Sequence, residues 1–242
     1  MSNMNQEDKK KKSGLVLAIP FFITLSALTV ISFCIPLRPT QSNMEKRNLA
    51  RFPEFSVEAL TRGQWWTGKA DDPWGWRVEA AASGEIIYAK IFQGRAGFVS
   101  PEWFKKFANY RRDGYDYDSR WEEGLETIRN HDIMECVSRH PMGIMTSEIK
   151  KIVGKTGFDG ALTHLQNQTY LIISGFERKR NRFGEPYGWE IAVIDTPENV
   201  FGAETATGAY NESPEKSIKD IIDHLRKTLK GTDEDALYSI FR

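Results

Sequence analysis

The chain is poor in the residues that build covalent or metal-held frameworks. Its 242 residues include only two cysteines, Cys34 and Cys136, and four histidines. Two cysteines cannot form a disulfide network, and the histidines are isolated from one another, without metal-ligand spacing. The sequence also lacks a glycine-rich phosphate loop and any recognisable group of nucleophile, base and acid. We therefore predict no metal, no cofactor and no covalent catalytic site.

An excess of either charge is missing too, since the formal net charge is zero. A nucleic-acid-binding protein usually carries a basic excess, so such a role here has to rest on a local patch. The 40% hydrophobic residues and seven tryptophans are enough to fill a core, which argues against disorder. The length allows one moderate domain or two small ones.

Charge is absent altogether from residues 15–37, and we predict a transmembrane signal anchor over residues 14–37. This length spans the roughly 30 Å of a bilayer core. A basic polar tail, residues 1–13, ends in Lys9–Lys12, which predicts a cytoplasmic N-terminus and an exported remainder. A cleaved signal peptide is the rival interpretation, although no clear small-x-small site follows. Bulky Phe33 disfavours a lipoprotein signal at Cys34.

Residues 38–70 are predicted to be a linker. Within it, residues 45–56 read EKRNLARFPEFS. This stretch resembles the start of the exported DHHW-type proteins, which resemble the alginate acetylation SGNH-hydrolase-like family and also begin with one membrane span. The Asp-His-His-Trp motif itself is absent, because Asp223-His224 is followed by Leu225. No catalytic residue is carried over.

Residues 71–118 are predicted to form an N-terminal α/β subdomain. Asp72-Pro73 and Ser100-Pro101 are N-cap and proline pairs that start helices. Between these helices we predict two strands, residues 86–92 and 96–99. The second helix runs to Arg112, and its solvated side is predicted to carry Lys105, Lys106, Arg111 and Arg112.

Residues 119–196 are predicted to form a winged helix. A helix over 119–140, with Leu125 and Ile128 among its apolar positions, precedes a small strand at Ile144-Met145. Then follow a helix at 147–153, a tight turn, and a second helix from 158 to about 168 with an apolar face. Strands at 170–174 and 189–194 flank a polar, basic loop. Residues 197–242 are predicted to form C-terminal helices, which start at Thr196-Pro197, at Ser213-Pro214 and at Thr232–Asp235. The last of them is predicted to face inward with Leu237, Ile240 and Phe241. The predicted fold class is α+β.

This order predicts a surface for double-stranded DNA, because the second helix of such a pair enters the major groove while the wing touches phosphate. Winged helices also serve as protein–protein modules, and a basic hairpin tip is often only solvated. The predicted contacts are Lys150, Lys151, Lys155 and Thr156 near the turn, His164, Asn167 and Gln168 at base edges, and Arg178, Lys179, Arg180 and Arg182 on the wing.

Residues 71–242 resemble the AlkZ-related bacterial proteins, distant relatives of winged-helix DNA glycosylases that excise alkylated or crosslinked bases. The matching stretches are DPWGWR at 72–77, YAKIF at 88–92, GFVSPEW at 97–103, ISGFERKR at 173–180 and GEPYGW at 184–189. The resemblance implies a winged helix followed by a C-terminal helical piece. The true enzymes have tandem winged helices, whereas this chain has sequence for one.

Their catalytic signature is Gln-x-Gln in the first part of the fold. Here Gln166-Asn167-Gln168 ends the predicted recognition helix. Gln166 and Gln168 are the candidates for catalysis, but polar residues at a helix end are the preferred interpretation.

The expected function is a membrane-tethered DNA-binding module without competent glycosylase activity. One alternative is an extracytoplasmic cell-surface binding or structural module, and a third is a weak alkylated-base DNA glycosylase. The charge rule places the module outside the membrane, whereas the resemblance favours the cytoplasm. A fusion of two genes or an inverted topology would reconcile the two halves.

Overall fold

The computed structural model describes residues 73–228 and 234–239, as an α+β fold with one five-stranded antiparallel sheet. The predicted tail, membrane span and linker, residues 1–70, lie outside this part of the chain. Within it, no helix has the length and apolar character needed to cross a bilayer. The helices are α1 (Pro73–Ala82), α2 (Pro101–Arg112), α3 (Tyr117–Glu122), α4 (Ile128–Ser138), α5 (Thr146–Val153), α6 (Phe158–Asn167), α7 (Pro197–Phe201), α8 (Glu204–Thr207), α9 (Pro214–Thr228) and α10 (Glu234–Ser239). The strands are β1 (Ile87–Phe92), β2 (Arg95–Val99), β3 (Ile144–Met145), β4 (Ile172–Arg180) and β5 (Pro186–Asp195).

The predicted N-terminal strand pair is confirmed as a tight hairpin. Phe92 pairs with Arg95, and the two residues between them, Gln93 and Gly94, both have positive φ. Two successive positive φ angles give the turn whose twist suits a two-residue hairpin. The strands carry fully buried Ile87 and Ile91, which join the sheet to the core.

The sheet is continuous across the predicted subdomain boundary at 118/119. Its strand order is β2-β1-β4-β5-β3, and Tyr88 of β1 pairs with Ile173 of β4. The β1–β2 hairpin therefore extends the sheet made by the second half of the chain, and one core lies beneath both halves.

The prediction that Arg111 and Arg112 are solvated is wrong. Arg112 is 2% exposed; its Nη2 donates to the Thr169 carbonyl at 2.7 Å, and its Nη1 donates to Glu198 Oε1 at 2.6 Å. Arg111 donates from Nη1 to the Asn167 carbonyl at 2.8 Å. Burial lowers the pKa of Arg111 to about 9, which leaves it charged at neutral pH. Both side chains supply donors to carbonyls at the end of α6, which that helix cannot satisfy itself.

The single helix predicted over 119–140 is wrong, because the structure divides it into α3 and α4. Gly124, with φ 72°, follows the end of α3. Thr127 then caps α4 by accepting from the Asn130 amide at 3.2 Å. A glycine followed closely by a threonine is a helix stop and a new helix start. Leu125 and Ile128, two of the apolar positions of the predicted helix, are exposed.

The hairpin of β4 and β5 is longer than predicted, and only residues 181–185 connect its strands. Arg178, Lys179 and Arg180 therefore lie in strand β4 and not in a loop. The Asn181 side chain closes the connection, accepting from the amides of Phe183 and Glu185 at 2.9 and 3.0 Å. An irregularity in the pairing between Glu177 and Lys179, near Gly188 with φ 75°, breaks the alternation that would have marked a strand.

The C-terminal helices follow the predicted starts. Thr196 caps α7 by accepting from the Asn199 amide, and Gly202 ends that helix with φ 88°. The long helix after Ser213 is α9, which packs against α2. In α10, Leu237 is buried as predicted. Ile240 and Phe241, also predicted to face inward, lie outside the described residues.

Candidate nucleic-acid interface

Helices α5 and α6 form a pair around a glycine-bounded turn. Gly154 and Gly157 have φ angles of 88° and 69°, a conformation that side chains resist. Ile149 of α5 and Phe158 and Leu165 of α6 are almost fully buried. The opposite side of the pair faces solvent, where the exposed residues are Lys151, Ile152, Lys155, Thr156, Asp159, Gly160 and His164.

The predicted contacts near the turn differ in their electrostatic state. Lys150 donates from Nζ to both carboxylate oxygens of Asp159, at 3.0 and 2.8 Å. This pair offsets the lysine charge at the start of α6. Lys151 and Lys155 are exposed, so they are the turn's accessible cations.

Along α6, the predicted base-edge residues are placed differently from one another. His164 is exposed on the outer side of the helix. Asn167 and Gln168 are half-buried, and the Gln168 amide donates to the His164 carbonyl. The turn of the β1–β2 hairpin lies against α6. A Cβ added at Gly94 would come within 3.2 Å of the Thr163 methyl carbon.

Gln166, one of the two catalytic candidates, is 1% exposed. Its Oε1 accepts from the Lys90 amide of β1 at 3.0 Å. Gln166 thus joins α6 to the sheet through a backbone amide of β1. Gln168 lies two positions further on, and residues spaced by two on a helix do not face each other. The structure does not bring the two carboxamides together.

Glu126, which the sequence did not single out, lies beneath His164. Its side chain is 1% exposed, and its oxygens accept from Arg120 Nε at 2.7 Å and Asn130 Nδ2 at 2.6 Å. His164 Nε2 lies 3.6 Å from Glu126 Oε2. Burial acts to raise the pKa of Glu126, but the His164, Asn130 and Arg120 partners outweigh it and hold the pKa at about 2. A carboxylate that is ionised at neutral pH therefore lies beside the imidazole on this face.

The predicted wing corresponds to the hairpin of β4 and β5 with its connection, residues 172–195, and this segment is called the wing below. Arg178 donates to Glu190 Oε1 at 3.0 Å, so its charge is matched. The same carboxylate lies 3.4 Å from Arg77, which also covers the Phe176 ring. Arg180 donates to the Gly184 carbonyl and retains its net charge. Lys179, Arg180 and Arg182 are all exposed, so the outer wing keeps three cations.

Sequence reasoning missed the aromatic residues of the wing. Phe183, Tyr187 and Trp189 are 72%, 52% and 77% exposed. Their signal in the sequence was three aromatic residues within a stretch that is otherwise polar, next to Gly184 and Gly188. The predicted basic loop is therefore a mixed surface of cations and rings.

A family model described as AlkZ related matches residues 48–242. The chain belongs to the AlkZ-related family. No curated protein and no solved structure matches it. The match begins before residue 71, within the segment that resembles the start of DHHW-type proteins.

In this AlkZ-related chain, three of the five stretches that carried the resemblance lie on the sheet or in the connection of its β4–β5 hairpin. Residues 88–92 fall in β1, residues 173–180 in β4, and residues 184–189 at the start of β5 and the connection before it. Among residues 73–228 and 234–239, no three His, Cys, Asp or Glu side chains are grouped to hold a metal ion.

Proposed function

We propose that residues 128–195 are a winged helix that binds double-stranded DNA. The observation that carries this proposal is the order of its elements: α4, β3, α5, α6, then the β4–β5 wing. Strand β5 lies between β3 and β4, which joins the helix pair to the wing through one sheet. Membership of the AlkZ-related family supports the same function, because the resemblance relates the family to DNA glycosylases.

In this proposal, α6 lies in the major groove and the wing contacts the phosphate backbone. Lys151, Lys155 and Thr156 are exposed at the turn before α6, and Lys179 and Arg182 are exposed on the wing. These residues give sequence-independent contacts. His164 is the exposed side chain on α6 that would reach toward base edges, whereas the Asn167 side-chain oxygen is buried. Since the net charge of the chain is zero, the attraction is local and binding is weak at physiological salt.

The proposed module binds without excising a base. A glutamine that positions a water molecule against a sugar needs access to the substrate, and Gln166 is buried against β1. Incubating the full chain with alkylated duplex DNA is expected to release no free base. Release of base that Gln166→Ala abolishes, in a variant that keeps its fold, would make the chain an enzyme.

Wing contacts are tested by reversing charge on the wing and elsewhere. The double variant Lys179→Glu and Arg182→Glu changes two exposed wing cations. The matched control is Lys219→Glu with Lys227→Glu, which changes the net charge by the same amount. Both lysines are exposed on α9, a helix that packs against α2 and not against the wing. Fluorescence anisotropy with labelled duplex DNA, over a range of salt concentrations, measures both variants in the full chain in detergent.

We expect the wing variant to lower affinity and to reduce the slope of log K against log salt by roughly 2, because two phosphate contacts are lost. The control is expected to keep the original slope. Equal losses in both variants would mean that only net charge matters, and an unchanged wing variant would exclude the wing as the contact.

In this proposal the module is anchored to a membrane through residues 14–37 and lies on its cytoplasmic side. This side is the opposite of the one that the lysines before the predicted span favour. A reporter fused after Arg242 measures the side directly. A cytoplasmic reporter supports the proposal. An external reporter would exclude chromosomal DNA as the ligand and favour the alternative, a cell-surface binding module.

A further inference from the structure

Exposed aromatic side chains are concentrated on the wing. Among the described residues, four aromatic side chains are strongly exposed, and Phe183, Tyr187 and Trp189 are three of them. The fourth, Tyr238, lies on α10. A cluster of large apolar side chains exposed to solvent usually marks a binding site.

Two of the rings lie beside cations. Tyr187 is the direct cross-strand partner of Lys179, which places the two side chains on the same face of the hairpin. The Arg182 guanidinium lies 4.6 Å from the centre of the Phe183 ring. Residues 179–187 hold three basic residues, Lys179, Arg180 and Arg182, and one acidic residue, Glu185, so their net charge is +2.

Nucleic-acid strands offer complementary chemistry, because their phosphates alternate with flat bases. Paired bases in an intact duplex have both faces covered by neighbours, and proteins reach only their edges in the grooves. Unpaired bases expose their faces, and aromatic side chains beside cations stack on them with little regard to sequence. A wing that used only phosphate contacts would gain nothing from three exposed rings.

We propose that the wing stacks Trp189 and Phe183 on unpaired bases, so that the protein prefers single-stranded or locally unpaired DNA to intact duplex. This inference rests on the proposed function, since it assigns a substrate class to the same DNA-binding surface. Tyr187 lies directly across the hairpin from Lys179, so a ring for stacking and a cation for phosphate are available side by side.

An anionic bilayer surface also attracts cations and aromatic rings. The charge at the end of the wing favours nucleic acid. The connection at the end of this hairpin carries exposed Phe183, but it also carries the polar Asn181 side chain and the carboxylate of Glu185, which an anionic bilayer surface repels. Tyr187 and Trp189 lie further back, on strand β5.

The test compares three labelled probes of one sequence: a single strand, its intact duplex, and the duplex with a central mismatched bubble. Fluorescence anisotropy measures their affinity for the full chain in uncharged detergent. The wild type is expected to bind the bubble and the single strand more tightly than the duplex. Phe183→Ala with Trp189→Ala should weaken binding of unpaired probes by about 10- to 100-fold and leave duplex binding nearly unchanged.

Two further variants separate stacking from a general structural effect. Trp189→Phe keeps an aromatic face and is expected to retain the preference for unpaired probes. Tyr238→Ala removes an exposed ring away from the wing and should bind like the wild type. Circular dichroism checks that each variant keeps its fold, and the exposure of the substituted rings predicts that it does.

Equal affinity of the wild type for duplex and bubble would overturn this inference and leave the proposed duplex binding intact. Loss of the preference in Tyr238→Ala as well would overturn it too, because the wing would not be its source. If no DNA probe binds, while vesicles of anionic phospholipid bind and the double variant releases them, both this inference and the proposed function are overturned.

Discussion

Glu126 is a carboxylate that stays charged although almost none of its side chain meets solvent. Arg120 and Asn130 occupy its two oxygens, and His164 lies above it. A buried charge without partners would shift its pKa upward and become neutral. The depressed pKa of Glu126 shows that its partners compensate for burial. Its ionised form therefore stabilises the folded state at neutral pH.

This linkage gives a testable pH dependence. The pKa of Glu126 is about 2 in the folded protein against an ordinary value of 4.5. A carboxyl with a depressed pKa contributes stability above its unfolded pKa, and that contribution is lost as pH falls from 4.5 toward 2. Its size is on the order of 3 kcal/mol at neutral pH, with about 2 kcal/mol gone by pH 3.

Glu126→Gln should lower the free energy of unfolding by about 3 kcal/mol at pH 7 and by only about 1 kcal/mol at pH 3. Urea denaturation at both pH values measures this. Glu135→Gln is the matched control on α4, because Glu135 is half exposed and its pairing with Arg139 is a surface contact. A deficit in Glu126→Gln that is the same at both pH values would show that the carboxylate charge is not the cause.

At the scale of elements, the turn before β3 depends on a glycine for two reasons. Gly143 has φ 76°, and a Cβ there would lie 2.8 Å from Val193 Cγ1 and 3.3 Å from the Ile194 carbonyl oxygen. Gly184, on the wing connection, also has positive φ, 81°, but a Cβ there meets nothing. The two glycines separate backbone strain from the steric clash.

Gly184→Ala should cost about 1 kcal/mol of unfolding free energy, from the left-handed backbone alone. Gly143→Ala should cost about 1–3 kcal/mol more, because its methyl group would press on the Val193 side chain and approach the backbone of β5. Urea denaturation of the two variants measures the difference. Equal losses would mean that the turn shifts to accommodate the methyl group and that β3 does not fix its position.

Elements with local signals were predictable from the sequence. Ser100-Pro101 starts α2, and Thr196-Pro197 starts α7, as N-cap and proline pairs predict. The failures have non-local causes. Arg112 belongs to a basic run by sequence, and only the fold places a buried carbonyl and Glu198 beside it. The two wing strands were predicted too short, because the bulge near Gly188 interrupts the alternation of inward and outward residues.

The candidate site was predictable only in part for the same reason. The exposure of His164 follows from helical periodicity, and that of Lys155 and Thr156 from their place in a polar turn. Gln166 is a polar residue near a helix end, a position that is usually exposed. It is buried because β1, from a distant part of the chain, packs beside it and donates a backbone hydrogen bond to its side chain. The topology of the fold decides which polar residue faces a neighbouring strand, and helical periodicity alone cannot predict this.

For the whole molecule, the decisive feature is that one sheet and one core join the two halves. Strand β1 pairs with β4, and Arg112 connects α2 to the end of α6 and to α7 through Thr169 and Glu198. If residues 71–118 unfolded separately, the edge of β4, the Thr169 carbonyl and the Glu198 carboxylate would lose their partners. The loss of these hydrogen bonds is costly. We therefore expect the described part of the chain to unfold as one cooperative unit.

Arg112→Met tests this unit, because methionine keeps much of the arginine length but donates no hydrogen bond. The variant should lower the free energy of unfolding by about 2–4 kcal/mol, since a buried carbonyl and a partly buried carboxylate lose their donor. Tryptophan fluorescence and circular dichroism should shift together. Arg139→Met, whose side chain is 70% exposed, should stay within about 0.5 kcal/mol of the wild type. Two separate transitions in the Arg112 variant, or a protease-resistant fragment beginning near residue 119, would show that the halves fold independently and that the shared sheet does not couple them.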